Sequence, residues 1–338
     1  MRRLLPLVLF LFPSAPSQAA SFDCGKAARP AEKLICADAE LGRLDSRLAA
    51  AYTARLRLLS EPAKTELRRG QREWLAFWPL RCGDVKGRLP AADAEVVACA
   101  REQYGQRLAV LASRDRILGD IPLYPASQYA IQPSQAGVDW IRFATDVRQR
   151  PAVDVAAAPA QKRNLARLLE RWLADGMPTE PGTGEGQDSS DGETGRAFID
   201  SLPFLLSTGT TTYFYGHGAA HPVSGFSSAH FFLPEARPMR SADIFRDGSA
   251  WQDGLARLAE KALRRELADS YYLERFDELK ALTVEPARWR FDKQGLNLQF
   301  NPYEVAPYAA GAPEVTLPWN ALAPWLTPRA RETVLPKK

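Results

Sequence analysis

Four cysteines, Cys24, Cys36, Cys82 and Cys99, fall within the first hundred residues of this 338-residue chain, and none follows them. No other feature limits its folding as tightly. An even set crowded into one segment, with no Cys-x-x-Cys pair, reads as two disulfides and argues against a zinc knuckle. Three connectivities can satisfy four cysteines. The local pairs Cys24–Cys36 and Cys82–Cys99 are favoured, because each closes a short loop at the edge of a helix. Such staples need an oxidising compartment, and the N-terminus has the pattern of a route there. Arg2 and Arg3 precede the apolar run Leu4–Phe12, which falls short of the roughly 20 residues that span a bilayer as a helix. Ser17 and Ala19 then place small residues at both recognition positions of a cut after Ala19. A signal peptide is therefore expected over 1–19, and the mature protein is expected to be periplasmic or secreted. Phe22 and Asp23 do not fit a lipid-attachment signal at Cys24. No other stretch approaches twenty apolar residues, so no stable membrane span is expected once the leader is removed.

Between and beyond the cysteines the pattern is helical. Asp38 can cap a helix whose apolar side runs through Leu41, Leu44, Leu48, Tyr52, Leu56 and Leu59. Glu61-Pro62 opens a second helix carrying Leu67, Trp74, Leu75 and Trp78, with proline tolerated in its first turn. A third presents Val96, Cys99 and Leu111. Residues 20–118 thus predict a small antiparallel helical domain, stapled because so short a segment buries little core. It carries 18 Lys/Arg against 13 Asp/Glu, whereas residues 119–338 carry 24 against 27. Neither part has the dense basic stripe of a nucleic-acid binder, and no nucleic-acid partner is expected.

The residues of this first segment resemble a known family. Phe22-Asp23-Cys24, Glu32-Lys33-Leu34-Ile35-Cys36-Ala37-Asp38, Leu41, Leu44-Asp45, Gln71-Arg72-Glu73-Trp74-Leu75, Arg81-Cys82-Gly83 and Cys99 are similar to the LprI N-terminal domain. That family is named for a mycobacterial lysozyme inhibitor. The likeness covers about ninety residues, keeps every cysteine, and implies a helical, disulfide-bonded fold.

Residues 119–338 change character. Strand-type runs appear at 129–131, 138–143, 204–215, 228–233, 288–292, 296–301 and 315–317, with helices at 160–174, at 251–267 and after Pro318. The stretch 176–196 is rich in Gly, Ser, Thr and acids and predicts a flexible polar loop. The chain as a whole reads as multidomain α and α+β, the second part being an antiparallel sheet with packed helices.

All three histidines, His217, His221 and His230, lie within fourteen residues. His217 and His221 have the i, i+4 spacing of a zinc-protease helix. Gly216, Gly218 and Pro222 oppose a helix there, and no glutamate follows the first histidine, so the general base is missing. A turn whose imidazoles bond the loop backbone is the stronger reading, and neither metal nor cofactor is expected. There is no G-x-S-x-G elbow, phosphate loop or dinucleotide fingerprint. No catalytic residue is assigned. Glu304, among Tyr303, Val305 and Tyr308, is the most distinctive acid, and accepting hydrogen bonds in a tight turn is its favoured role.

This part carries a second resemblance. Tyr215-Gly216-His217-Gly218-Ala219-Ala220-His221-Pro222, Phe231-Phe232-Leu233, Ala242-Asp243-Ile244-Phe245, Asn301-Pro302-Tyr303-Glu304-Val305-Ala306-Pro307-Tyr308-Ala309-Ala310-Gly311 and Glu314-Val315 look like successive blocks of the RsiV-type C-terminal domain. The family usually shows paired glycines where this chain has Gly218-Ala219-Ala220. RsiV-type domains occur in an anti-sigma factor that senses lysozyme by binding it, and beside polysaccharide deacetylase domains. Together the two resemblances imply an exported cell-envelope binding protein of lysozyme-inhibitor type, with a lysozyme or another peptidoglycan hydrolase as partner. Tyr215, His217, His221, Tyr303, Glu304 and Tyr308 are the candidate contact residues. A peptidoglycan- or polysaccharide-acting enzyme, and an envelope docking protein, are the alternative readings.

Overall fold

The computed structural model describes residues 20–83, 88–134, 143–177 and 189–335. The expected leader lies outside them, as do residues 138–142 of one strand candidate and most of the expected polar loop. Within the chain two compact units are distinguished. One comprises residues up to Ala54 with Cys82–Leu111, the other Arg55–Arg81 with Ala112–Lys338.

Among the described residues the N-terminal third forms α1 (Pro30–Ala37), α2 (Ala39–Arg57), α3 (Glu61–Cys82) and α4 (Ala94–Leu111). In the first unit α1 starts at a proline, and Glu32 closes its first turn by accepting the Ala28 and Arg29 N–H groups at 2.9 and 3.0 Å. Asp38 caps α2 as expected, accepting the Leu41 N–H at 2.8 Å. The same carboxylate receives Arg101 of α4 at 2.6 Å, and that guanidinium holds its pKa below the ordinary range. Asp45 accepts the Tyr104 hydroxyl at 3.1 Å, and burial drives that phenol upward. The disulfides join Cys24 to Cys36 and Cys82 to Cys99, the favoured local pairs.

The second unit is built on a seven-stranded sheet in the order of the chain: β1 (Arg116–Ile117), β2 (Ile121–Pro133), β3 (Phe143–Val153), β4 (Ser190–Ile199), β5 (Leu205–Gly216), β6 (Val223–Phe232) and β7 (Arg237–Pro238). All neighbours are antiparallel except β3 and β4, which run parallel. That parallel step is connected through α5 (Arg163–Ala174), as a parallel pair requires a crossover. The polar loop expected over 176–196 is corrected here: its last residues, from Ser190, belong to β4 and pair with β5 along their whole length. Ser-Asp-Gly-Glu-Thr-Gly-Arg contains no apolar alternation, so the strand leaves no pattern in the sequence.

Helix α3 lies on this sheet. A Cβ on Gly70 would stand 2.8 Å from the Ser127 carbonyl oxygen, so only glycine allows the helix so close to β2. Glu73 accepts the Tyr129 N–H at 3.1 Å, and Phe77 meets the Tyr129 ring at 5.4 Å. At the start of α3, Ser60 donates both its N–H and its hydroxyl to Asp154, at 2.7 and 2.6 Å.

The C-terminal part adds α6 (Trp251–Leu267), α7 (Phe276–Thr283), a second sheet of β8 (Trp289–Phe291), β9 (Gly295–Gln299) and β10 (Glu314–Pro318), then α8 (Trp319–Leu322) and α9 (Pro328–Val334). Its core is aromatic: Phe245 stacks on Trp251 at 4.6 Å, and Trp289 meets both rings edge-on. The architecture is a disulfide-bonded helical region followed by an α+β region, as the sequence predicts.

Disulfide stabilisation should be measurable separately from that core. Replacing Cys82 and Cys99 by serine opens a loop of 17 residues, for which chain entropy predicts a loss of about 3 kcal/mol. Urea midpoints of the wild type and the double variant test it.

Candidate functional site

The end of the β5–β6 hairpin and the segment after β9 form one cluster, joining residues more than eighty positions apart. His221 stacks on Tyr308 with ring centres 3.9 Å apart and planes 23° apart. Its Nδ1 lies 3.0 Å from the Pro222 carbonyl, so Nδ1 carries the hydrogen and Nε2 accepts the Tyr303 hydroxyl at 3.1 Å. The Tyr308 hydroxyl donates to the same Pro222 carbonyl at 2.9 Å. Three of the six candidate contact residues are thereby brought together.

Tyr303 is the unusual member. It adopts φ 69°, in the left-handed region that disfavours a bulky side chain, yet it is 54% exposed. Its backbone is held from both sides. The Tyr272 hydroxyl donates to the Tyr303 carbonyl. The Glu304 N–H closes a turn onto the Asn301 carbonyl at 3.1 Å. Pro302 presets the turn, and residue 303 occupies the position where glycine is usual. Tyr213, Phe214 and Val223, towards the end of the β5–β6 hairpin, are also exposed.

Glu304 does what its favoured sequence reading assigned. Its carboxylate accepts the Asn301 N–H at 2.7 Å and takes both terminal nitrogens of Arg288, Nη2 reaching Oε1 at 2.7 Å. Asn301, so oriented, accepts the Phe226 N–H at 2.6 Å. β7 pairs only with Phe231 and Phe232, so this contact reaches β6 along an edge that β7 leaves uncovered. The acid is a structural clamp, with its oxygens occupied.

The remaining histidines point elsewhere. The His217 imidazole is nearly inaccessible, with 1% of its side chain exposed. Its Nδ1 meets the Ser134 hydroxyl at 2.9 Å, and its Nε2 lies 3.5 Å from Asp191, whose other oxygen accepts Thr145 at 2.5 Å. The expectation that this imidazole bonds loop backbone is therefore replaced by side-chain partners, and as a contact residue only its backbone is available. Tyr215 is half-buried and meets the His217 ring edge-on at 6.1 Å. His230 is buried inside β6, where Nε2 faces the carbonyls of Pro286 and Trp289 at 3.2 and 3.0 Å. Its Nδ1 accepts from Ser207 at 2.7 Å, and Ser207 in turn meets Ser201 at 2.8 Å. Among the described residues no three His, Cys, Asp or Glu side chains gather as a metal site. Sequence proximity grouped the histidines, but alternation along β6 and the turn at Gly218 sent each to a different neighbourhood. The Ser201–Ser207–His230 chain left no sequence signal, since its members are spread over two strands and a loop.

Two family models match this chain. Residues 24–111 match the model described as Lysozyme inhibitor LprI. Residues 242–320 match the model described as Protein of unknown function (DUF3298), which is the RsiV-type C-terminal domain. Both resemblances, carried by the cysteine framework and the Asn301–Gly311 block, are matched. Among solved structures, a DUF3298 family protein from Pseudomonas aeruginosa PAO1 is similar at 15% identity and TM-score 0.45, covering 66% of this chain and 99% of that one. A member of the same family from Bacteroides fragilis NCTC 9343 is similar at 14% identity and TM-score 0.42, covering 63% and 96%. No curated protein matches.

Two measurements check this description. Glu304→Gln should cost about 2 kcal/mol in denaturant unfolding, because it leaves the Arg288 side chain, only 12% exposed, with the more distant and exposed Glu285 at 3.6 Å as its remaining carboxylate. The second concerns His230, whose pKa burial lowers to about 4 from an ordinary 6.5. Its neutral form favours the fold, so that contribution is complete above pH 6.5. It is lost as pH falls from there towards 4, where the unfolded chain binds the extra proton. Stability should drop by on the order of 3 kcal/mol across that window. His230→Gln should flatten this part of the pH–stability curve, and an unchanged slope in the variant would assign it to another group.

Proposed function

We propose that this protein is an extracytoplasmic lysozyme-binding protein of the inhibitor type. The observation that carries the reading is the match of residues 24–111 to the lysozyme inhibitor model, in a segment that bears both disulfides. Disulfides accord with an oxidising compartment outside the cytoplasm. The leader-like residues 1–19 supply the export route in this reading, to a periplasm or the exterior. The second match, to the RsiV-type domain, adds a domain type whose resemblance also leads to lysozyme.

The contact surface we assign is the cluster of His221, Tyr303 and Tyr308, together with the exposed Tyr213 and Phe214 of the same hairpin. Aromatic side chains on a rigid, preorganised loop are the usual anchors of tight interfaces. Backbone strain at Tyr303, held by its neighbours, is what a residue kept for contact would show. The excess of acids over bases in residues 119–338 suits a cationic partner, for which complementary charge speeds encounter. Glu304 with both oxygens engaged, and His230 buried and neutral, favour binding over the enzymatic alternative.

The test is the lytic activity of a chicken-type lysozyme with and without the purified mature protein, paired with calorimetric titration. Inhibition and saturable binding at micromolar concentration are expected, and absence of both overturns the proposal. Tyr303→Gly should leave stability within about 1 kcal/mol of wild type, since glycine relieves the positive φ. Its lysozyme affinity should fall at least about tenfold. Full affinity in this variant would retain lysozyme as partner and move the contact away from the tyrosine cluster.

A further inference from the structure

A second concave site lies in the same sheet unit, at β2 and β3, where nothing above places a function. A cavity of about 270 Å³ opens there, lined by Arg69, Tyr124, Gln128, Arg148, Gln149 and Arg150 together with Glu66. That volume is just under the roughly 300 Å³ at which pockets for drug-sized ligands begin, so its occupant is small. The register explains the composition. Gln128 stands opposite Arg148 and Ala126 opposite Arg150, so these side chains and Tyr124 share one face of the sheet. Ala126, with a single methyl between Tyr124 and Gln128, leaves the space open.

The lining is rich in donors. Arg148 is almost wholly buried, with 7% of its side chain exposed. Its Nε and Nη2 both serve Asp146, at 2.9 and 2.7 Å. Among the described residues its Nη1, buried, has no hydrogen-bond partner. An unsatisfied buried guanidinium N–H costs on the order of 1–3 kcal/mol, more than the structure would retain without use for it. Arg150 gives Nη2 to Glu170 at 2.7 Å and Nη1 to the Pro151 carbonyl at 3.2 Å, and Arg69 is held between Glu66 and Glu73 at 2.9 and 2.7 Å. Tyr124 and Gln128, each with a polar side-chain end, line the same space.

Charge decides what kind of acceptor fits. Arg69, Arg148, Arg150 and the neighbouring buried Arg196 are matched by Glu66, Glu73, Asp146 and Glu170. A site already near neutrality does not attract a dianion such as phosphate strongly, whereas the unpaired Arg148 Nη1 calls for an acceptor such as a carboxylate. A ligand that meets both conditions carries a carboxylate balanced by its own cation. We infer that this cavity binds a small zwitterion, an amino acid or a dipeptide, with its carboxylate on Arg148 Nη1 and Tyr124 and its ammonium towards Glu66. The inference does not depend on the lysozyme reading, since no residue is shared with the tyrosine cluster.

Isothermal titration of the mature protein with L-alanine, L-alanyl-L-alanine and D-alanyl-D-alanine tests it, with acetate and inorganic phosphate as comparisons. At least one of the three zwitterions should bind saturably with a dissociation constant below about 1 mM, and both comparisons at least about tenfold more weakly. Arg148→Lys should weaken binding about tenfold. Tyr124→Phe, which removes only a hydroxyl and leaves the fold intact, should weaken it severalfold and decides the matter if the arginine variant does not fold. The inference is overturned if none of the zwitterions binds up to about 10 mM. It is equally overturned if acetate or phosphate binds as tightly, or if Tyr124→Phe binds like the wild type.

Discussion

The second unit turns on one carboxylate. Glu304 receives the Arg288 guanidinium and the Asn301 N–H, and Asn301 then reaches Phe226 on β6. Through these bonds the segment after β9 is fastened to the seven-stranded sheet, and the residues preceding β8 are fastened to both. A short ion pair among largely buried groups is a costly way to join two sheets unless every lone pair is used. Here each oxygen of Glu304 has a donor, and the neighbouring amide is put to work on a backbone N–H along the strand edge. The same arrangement that rules the acid out as a free general base makes the loop beside it rigid.

That rigidity sets the geometry of the tyrosine cluster. A tyrosine at φ 69° is disfavoured by roughly 1 kcal/mol or more against the right-handed region. It persists because the residues on either side have no freedom: Pro302 has a fixed φ, Glu304 is clamped, and the carbonyl of Tyr303 is tied to Tyr272. The outcome is an exposed ring held in contact with His221. Preorganisation of this kind lowers the entropy lost when a partner docks.

Much of this was legible in the sequence, for reasons that differ by element. The helix start at Asp38 and the amphipathic periods of α2 and α6 follow from local chemistry, and local disulfide pairs follow from short loops between cysteines. The blocks around Tyr215 and Asn301 were recognisable, but their meeting was not, because His221 and Tyr308 are 87 positions apart and join only after β5–β6 folds back. Strand β4 was missed because its inward face uses Ser190 and Arg196 where a hydrophobic would normally announce a strand. Arg196 is satisfied by Thr210 and by the carbonyls of Leu173 and Asp175, a set that exists only once α5 is in place. Arg148 was invisible for the same reason: its environment is made by strand register, not by neighbours in sequence.

The placement of the disulfides also has a physical logic. The C-terminal core contains Trp251, Trp289, Trp319, Phe245, Phe291 and Phe300, all buried. Each such side chain removes 150–250 Å² from water, so this part has no need of a covalent link. Among its described residues the first unit buries mainly leucines, with Tyr104 the one buried ring, and several of its polar contacts, such as Arg43 with Glu40, are exposed pairs of small worth. Cross-linking lowers the entropy of its unfolded chain instead of enlarging its core. Two routes to stability thus coexist in one polypeptide, and only the covalent one depends on the redox state of the surroundings. A reducing compartment would therefore loosen the first unit, residues up to Ala54 with Cys82–Leu111, before the second, in which α3 is packed on the sheet.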